Sequence, residues 1–172
     1  MGDNDTHSHS IHQIQQAVLD LQPVHLSFKI ENLKNQKGDL LDFDFCERRF
    51  DLVINCSSIE HVGLAGRYGS TDVPDGDLIA MGLLNHLLKV PNGIMILTVP
   101  VGKDAVFPPL HRVYGNERLN LLLRGFRVVK KEFWSKRVGL NIWTRVSQQE
   151  ALATQPSECF YALGFFILKG IR

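Results

Sequence analysis

The chain has 172 residues, 44% of them hydrophobic and 22% charged, which excludes wholesale disorder and is enough for one domain with a sizeable core. Nineteen Lys and Arg against eighteen Asp and Glu leave a formal net charge of +1, with no electrostatic footprint for nucleic acid or an anionic membrane. Cys46, Cys56 and Cys159 lie far apart without a CxxC pair, which argues against a disulfide framework and a structural zinc site.

Residues 1–10 read as a polar tail whose acidic start is unlike a secretory signal. Gly2 and Thr6 satisfy only the bare myristoylation pattern, and Asp3 weighs against it. His7, His9 and His12 are spaced to converge on a transition metal, but no acid or cysteine accompanies them, so a solvated tail is the better reading and no metal site is assigned. Ile11, Ile14, Val18 and Leu21 recur at spacings of three and four, which predicts an amphipathic helix stopped by Pro23. Leu26, Phe28 and Ile30 alternate with polar neighbours, as in a strand with one buried face, and residues 32–39 read as a polar turn.

The run from Phe50 to Cys56 is rich in apolar and β-branched residues and predicts a buried strand. A glycine-rich loop covers 63–77, where Asp77 is placed to cap a helix reaching about Lys89 with Ala80, Leu84, Leu87 and Leu88 on one stripe. Residues 94–99 form a second buried strand, followed by a Pro- and Gly-rich loop from Pro100 to Gly115. Asn116 is placed to cap a short helix that Gly125 ends. Strands follow at 126–134 and 159–168, joined irregularly through 137–158 with a helical turn near Gln148 to Ala153. No segment reaches the roughly 18 consecutive apolar residues a membrane span requires. The expectation is a soluble cytoplasmic α/β protein with helices on the faces of its sheet and ligands beyond the carboxyl ends of its strands.

The segment Phe50-Asp-Leu-Val-Ile-Asn-Cys-Ser-Ser-Ile-Glu-His-Val resembles the fourth-strand region of class I S-adenosylmethionine-dependent methyltransferases, an FD-x-V strand followed by an EHV turn. Leu87-Leu-Lys-Val-Pro-Asn-Gly-Ile-Met-Ile-Leu-Thr-Val-Pro is similar to their LLKPGG turn and fifth strand, and Gly38-Asp39 to their adenine-contacting acidic segment. Ser57-Ser-Ile-Glu-His-Val-Gly-Leu, Gly66-Arg-Tyr-Gly and His111-Arg-Val-Tyr-Gly resemble a methyltransferase-like family catalogued as a domain of unknown function. The likeness covers about residues 25–169. It divides the chain into a tail with helix at 1–24 and a truncated methyltransferase-like domain at 25–172.

One departure stands out. The family holds its cofactor's methionine end against a glycine-rich E/D-x-G-x-G turn after its first strand, and the first 37 residues here contain only Gly2. In the family's sheet order 3-2-1-4-5-7-6, loss of strands 1 and 2 leaves 4-5-7-6. The resemblance therefore implies an incomplete Rossmann-like sheet, mostly parallel with an antiparallel last strand, whose strand at 51–56 has become an edge. A homodimer, another partner protein, or the segment 11–30 is expected to cover it.

The resemblance also implies site roles. Asp39, Asn55, Cys56 and Ser57 fall where the family binds S-adenosylmethionine, although a strand-ending role explains the last three equally well and a turn-forming role is the better reading of Asp39. Glu60 and His61 lie where a base could take a proton from a small hydroxylated substrate, against a structural role for the same pair. Arg67, Tyr68, His111, Arg112 and Tyr114 are candidates for binding that substrate, or for anchoring the two loops. Two functions follow: a methyltransferase, favoured by the retained loop motifs, or a catalytically inactive methyltransferase-like binding module, favoured by the missing glycine turn.

Overall fold

The computed structural model describes residues 16–20, 33–66, 71–136, 139–140 and 142–171, and divides into two units, residues 1–39 and 40–172. In the first, β1 (Gln16–Asp20) pairs parallel with β2 (Leu33–Lys37), Gln16 opposite Leu33 and Asp20 opposite Lys37. The amphipathic spacing predicts helix at 16–20, and the structure has strand there. Four apolar positions in so short a window make only a marginal helix, and a paired strand replaces it. The remainder of that expected helix, the expected strand at 26–30 and the three tail histidines lie outside the described residues.

The second unit is built on one five-stranded sheet. β3 (Leu52–Cys56) runs parallel to β4 (Ile94–Val101), with Ile54 opposite Ile96. Two short strands, β5 (Ala105–Phe107) and β6 (His111–Val113), form an antiparallel hairpin within the expected Pro- and Gly-rich loop. β7 (Phe126–Lys136) and β8 (Trp143–Val146) pair antiparallel, and β9 (Ala162–Gly170) inserts antiparallel between β4 and β7. The order is β3-β4-β9-β7-β8. β3, β4 and β7 thus point one way while β9 and β8 oppose them. This is the partial methyltransferase-like sheet that the resemblance implies, with β8 added outside β7.

Among the described residues three α-helices accompany it: α1 (Gly76–Leu87), α2 (Asn116–Leu122) and α3 (Gln148–Ala153). Their apolar residues Ala80, Met81, Leu84, Leu119, Leu122, Ala151 and Leu152 share one core with Met95, Leu97 and Val99 of β4, Phe133 of β7 and Phe166 and Leu168 of β9. Those strand residues lie on one face, because side chains alternate along a strand. Among the described residues all helices therefore cover one face of the sheet, where the sequence predicts helices on both.

The opposite face carries Leu52 and Ile54 of β3, Ile94 and Ile96 of β4, and Phe165 and Ile167 of β9. On β3 only Val53 and Asn55 turn inward, while Leu52 remains 49% and Ile54 63% exposed. The run whose composition predicts a buried strand is thus a half-covered edge, the position the resemblance implies for 51–56.

Two expected caps are also reassigned. Asp77 lies inside α1, whose cap position is Asp75, and its carboxylate turns into the protein. At α2 it is Asp104 that caps, accepting the backbone N–H groups of Gly115, Glu117 and Arg118 at 2.7–3.1 Å.

Candidate functional site

The carboxyl ends of β3 and β4 lie side by side and place Cys56 opposite Thr98. The chain turns sharply at Ser57, a non-glycine residue at φ 47°, in the left-handed region. The Ser57 N–H donates to Thr98 O at 3.0 Å, and the two hydroxyl oxygens are 3.2 Å apart. The Thr98 hydroxyl also faces Cys56 Sγ at 3.6 Å. Ser57 and Cys56 remain exposed and form a small polar rim. Asn55 is buried instead, its Oδ1 accepting the Ile59 N–H at 3.1 Å, so it fixes the turn that follows β3.

That turn enters a one-turn 3-10 helix, Ile59–His61. Glu60 is only 2% exposed, whereas His61 is half-buried. The two side chains approach within 3.9 Å, from His61 Nε2 to Glu60 Oε1. His61 Nδ1 lies 2.5 Å from the Leu110 carbonyl, which can only accept. Nδ1 therefore carries the proton of the neutral ring, and Nε2 is its basic nitrogen. The β5–β6 hairpin supplies that carbonyl and, at its second strand, His111. The buried His111 ring is 6.5 Å from His61, 5.6 Å from Phe107 and 5.2 Å from Tyr161.

Behind this rim lies a buried ionic cluster centred on Asp77, which is 0% exposed. Arg118 donates to it from Nε at 2.9 Å and Nη2 at 2.5 Å, Tyr114 donates its hydroxyl at 3.1 Å, and Arg112 Nε lies 3.7 Å away. Arg112, 1% exposed, spends its remaining donors on the carbonyls of Val62 at 2.6 Å and Pro74 at 3.1 Å. Both ends of the glycine-rich loop are thereby tied to β6 and α2. Burial, reinforced by the negative charges of Asp77 and Glu60, holds the Tyr114 hydroxyl well above the ordinary tyrosine pKa. Its hydrogen bonds to Asp77 raise Arg118 further above its already high value.

Gly63 closes the same loop. At φ +74° it accepts the Val73 N–H at 3.0 Å, and an added Cβ would lie 2.3 Å from Val73 O. Only glycine fits so close a backbone approach.

The structure thus gathers Cys56, Ser57, Glu60, His61 and His111 at one end of the sheet. Arg112 and Tyr114 are beneath them, bonded to Asp77 and loop carbonyls. Arg67 and Tyr68 fall outside the described residues, and Asp39 ends the other unit, two residues after β2. Sequence reasoning passed over Thr98, Asp77 and Arg118. Asp77 carried a visible but misread signal, an acid at a helix start; Thr98 and Arg118 matter only through distant partners.

Among the described residues no helix is long and apolar enough to cross a membrane, and no three His, Cys, Asp or Glu side chains form a metal-binding group. No curated protein matches the chain in sequence. Among solved structures the chain is similar to the N-methyltransferase NodS from Bradyrhizobium japonicum WM9, with a TM-score of 0.54 and 10% identity over 92% of this chain and 74% of that one. It is also similar to the [4+2]-cyclase SpnF, with a TM-score of 0.51 and 14% identity over 81% of this chain and 57% of that one. At such identities the likeness is one of fold, and that fold is methyltransferase-like. The family described as Caenorhabditis protein of unknown function, DUF268, matches residues 9–158, and the chain belongs to it.

Proposed function

We propose that the chain carries the base-and-substrate half of an S-adenosylmethionine-dependent methyltransferase site, directed at a small hydroxylated molecule. The observation that carries this reading is His61, whose Nδ1 is held by the Leu110 carbonyl and whose Nε2 lies at the carboxyl end of the sheet. S-adenosylmethionine, when bound, supplies a methyl group open to attack by a nucleophile. Nε2 would accept the proton of a substrate hydroxyl as its oxygen attacks, and Glu60 would stabilise the resulting imidazolium. Cys56, Ser57 and Thr98 would meet the cofactor, and Arg67, Tyr68 and His111 the substrate, while Asn55 acts here as the support of the turn after β3. Arg112 and Tyr114 act here as supports of the loop, since their polar atoms are bonded within the cluster. The fit is partial: the polar rim suits a hydroxylated ligand, but no residue before Gly38 offers the glycine turn for the methionine end.

A second reading, a catalytically inactive module that binds a partner, is favoured by β3 standing at the edge of the sheet with exposed apolar residues. A cytoplasmic location and a partner that completes the sheet, either a second copy or another protein, belong to both readings. Calorimetric titration of the full chain with S-adenosylmethionine separates them. Micromolar binding that weakens in Ser57→Ala supports the first, and no heat at millimolar cofactor leaves the second.

A further inference from the structure

Beyond β3 the described residues place no further strand. Its ladder to β4 shows which backbone groups it leaves over. Ser57 N–H donates to Thr98 O, and Asp51 O accepts the Ile94 N–H, so the odd-numbered residues turn their amides toward β4. That direction alternates along a strand, and Leu52, Ile54 and Cys56 therefore turn both N–H and C=O outward. Their side chains lie on the face without helices, and all three are exposed. The strand itself carries no edge protection: it reads Leu-Val-Ile-Asn-Cys, with no proline or charge, and its register with β4 is unbroken.

We propose that β3 pairs antiparallel with β3 of a second copy, about a two-fold axis through Ile54. This rests on the partner element of the proposed function and is independent of cofactor binding. Centred on Ile54, the register sets each Leu52 opposite the second copy's Cys56. All outward-turned amides then find mates, giving about six main-chain hydrogen bonds across the axis. A one-residue slip would set amides already bonded to β4 against the second copy, so the register is unique to within two residues.

Self-complementarity is what selects a second copy as the occupant. Apolar side chains meet apolar ones on the open face, and a strand added there extends the apolar stripe of Ile94, Ile96, Phe165 and Ile167 across both subunits. At the strand ends, exposed Asp51 comes opposite the second copy's Ser57, so no like charges oppose each other. A carboxylate thereby arrives beside the polar rim of each site from the neighbouring subunit. Two-fold isologous contact is also the commonest way soluble chains associate.

The test uses the full chain in sedimentation equilibrium, with Ile54→Pro and Ile54→Lys. The Ile54 N–H points away from β4, so proline there spares the internal ladder and removes only the two bonds at the axis, while lysine sets two like charges there. The expected result is a dimer for the unaltered chain and monomers for both variants, each with unchanged far-ultraviolet circular dichroism. If Ile54→Pro fails to fold, Ile54→Lys, at an exposed side chain, still decides. In a background with Cys46, Cys56 and Cys159 replaced by serine, Ile54→Cys should yield a covalent dimer with a short bis-maleimide. Ile171→Cys, exposed after the last strand, should not. An unaltered chain that is monomeric at its highest soluble concentration overturns the proposal, as does assembly beyond a dimer or a dimer that persists in both variants. Because none of these readouts involves S-adenosylmethionine, failure here leaves the calorimetric result standing.

Discussion

Asp77→Asn is expected to be the most costly single-charge change in the second unit. The carboxylate is fully buried and faces two guanidiniums, of which Arg112 is 1% exposed and Arg118 is 21% exposed at its side chain. Asparagine keeps the volume and can still accept from Tyr114, so packing is little disturbed. What disappears is the only negative charge that the described residues bring into contact with Arg112, whose other bonds are to neutral carbonyls. Removing one partner of a buried pair costs about 3–5 kcal/mol, because the remaining charge stays desolvated. Arg118 still reaches solvent and exposed Asp75 at 3.2 Å, which places the expected loss near the lower end, at about 3 kcal/mol.

Against a total stability of about 5–15 kcal/mol that is a large fraction. With a urea slope of about 2 kcal/mol/M, the midpoint should fall by about 1.5 M at unchanged slope. Lys89→Met is the control, since it breaks an ion pair, 2.7 Å to Asp51, that is shorter than the 3.7 Å from Arg112 to Asp77 yet exposed on both sides. Its loss should lie within about 1 kcal/mol, because water screens surface pairs. A loss below about 1 kcal/mol for Asp77→Asn, or equal losses for the two variants, would refute the argument that burial rather than distance decides.

The remaining predictions concern pH and the loop glycine. Tyr114 has a raised pKa in the folded state, so its contribution is fully present below about pH 10 and is lost as pH rises beyond the unfolded value. Unfolding free energies from urea titrations at pH 9 to 11 should therefore fall by up to about 1.4 kcal/mol per pH unit from this group, and more gently in Tyr114→Phe. Gly63→Ala should cost about 1–3 kcal/mol from its positive φ, and more from the clash with Val73 O. Gly82→Ala on exposed α1, with nothing within 4 Å of the added Cβ, should stabilise by up to about 1 kcal/mol, and thermal melts of the pair give the contrast.

Much of the scaffold was legible in the residues themselves. β3 and β4 read as apolar runs bounded by turns, α1 as a stripe of Ala80, Leu84 and Leu87, and the order of strands followed from the likeness of 50–62 and 87–100 to one family. These signals are local and periodic, and burial of one face makes such patterns necessary. The shorter pieces carry no such pattern. β5, β6 and β8 have three or four residues each, and their strand character exists only through pairing with partners elsewhere in the chain. At 16–20 the helical spacing was present, yet pairing with Leu33–Lys37 overrode it.

At the site the sequence marked Glu60, His61 and the His111–Tyr114 segment as chemically loaded, and could not separate the groups that face a ligand from those that hold the loop. Tertiary structure made that division. Arg112 and Tyr114 turn inward because Asp77 is buried beneath them, 37 residues from Tyr114 along the chain. His61 keeps Nε2 basic because a carbonyl 49 residues away holds Nδ1. Composition and periodicity determine which segments are buried; which polar atoms meet is decided by contacts between segments far apart in sequence, since a buried charge must find its partner wherever the fold brings one.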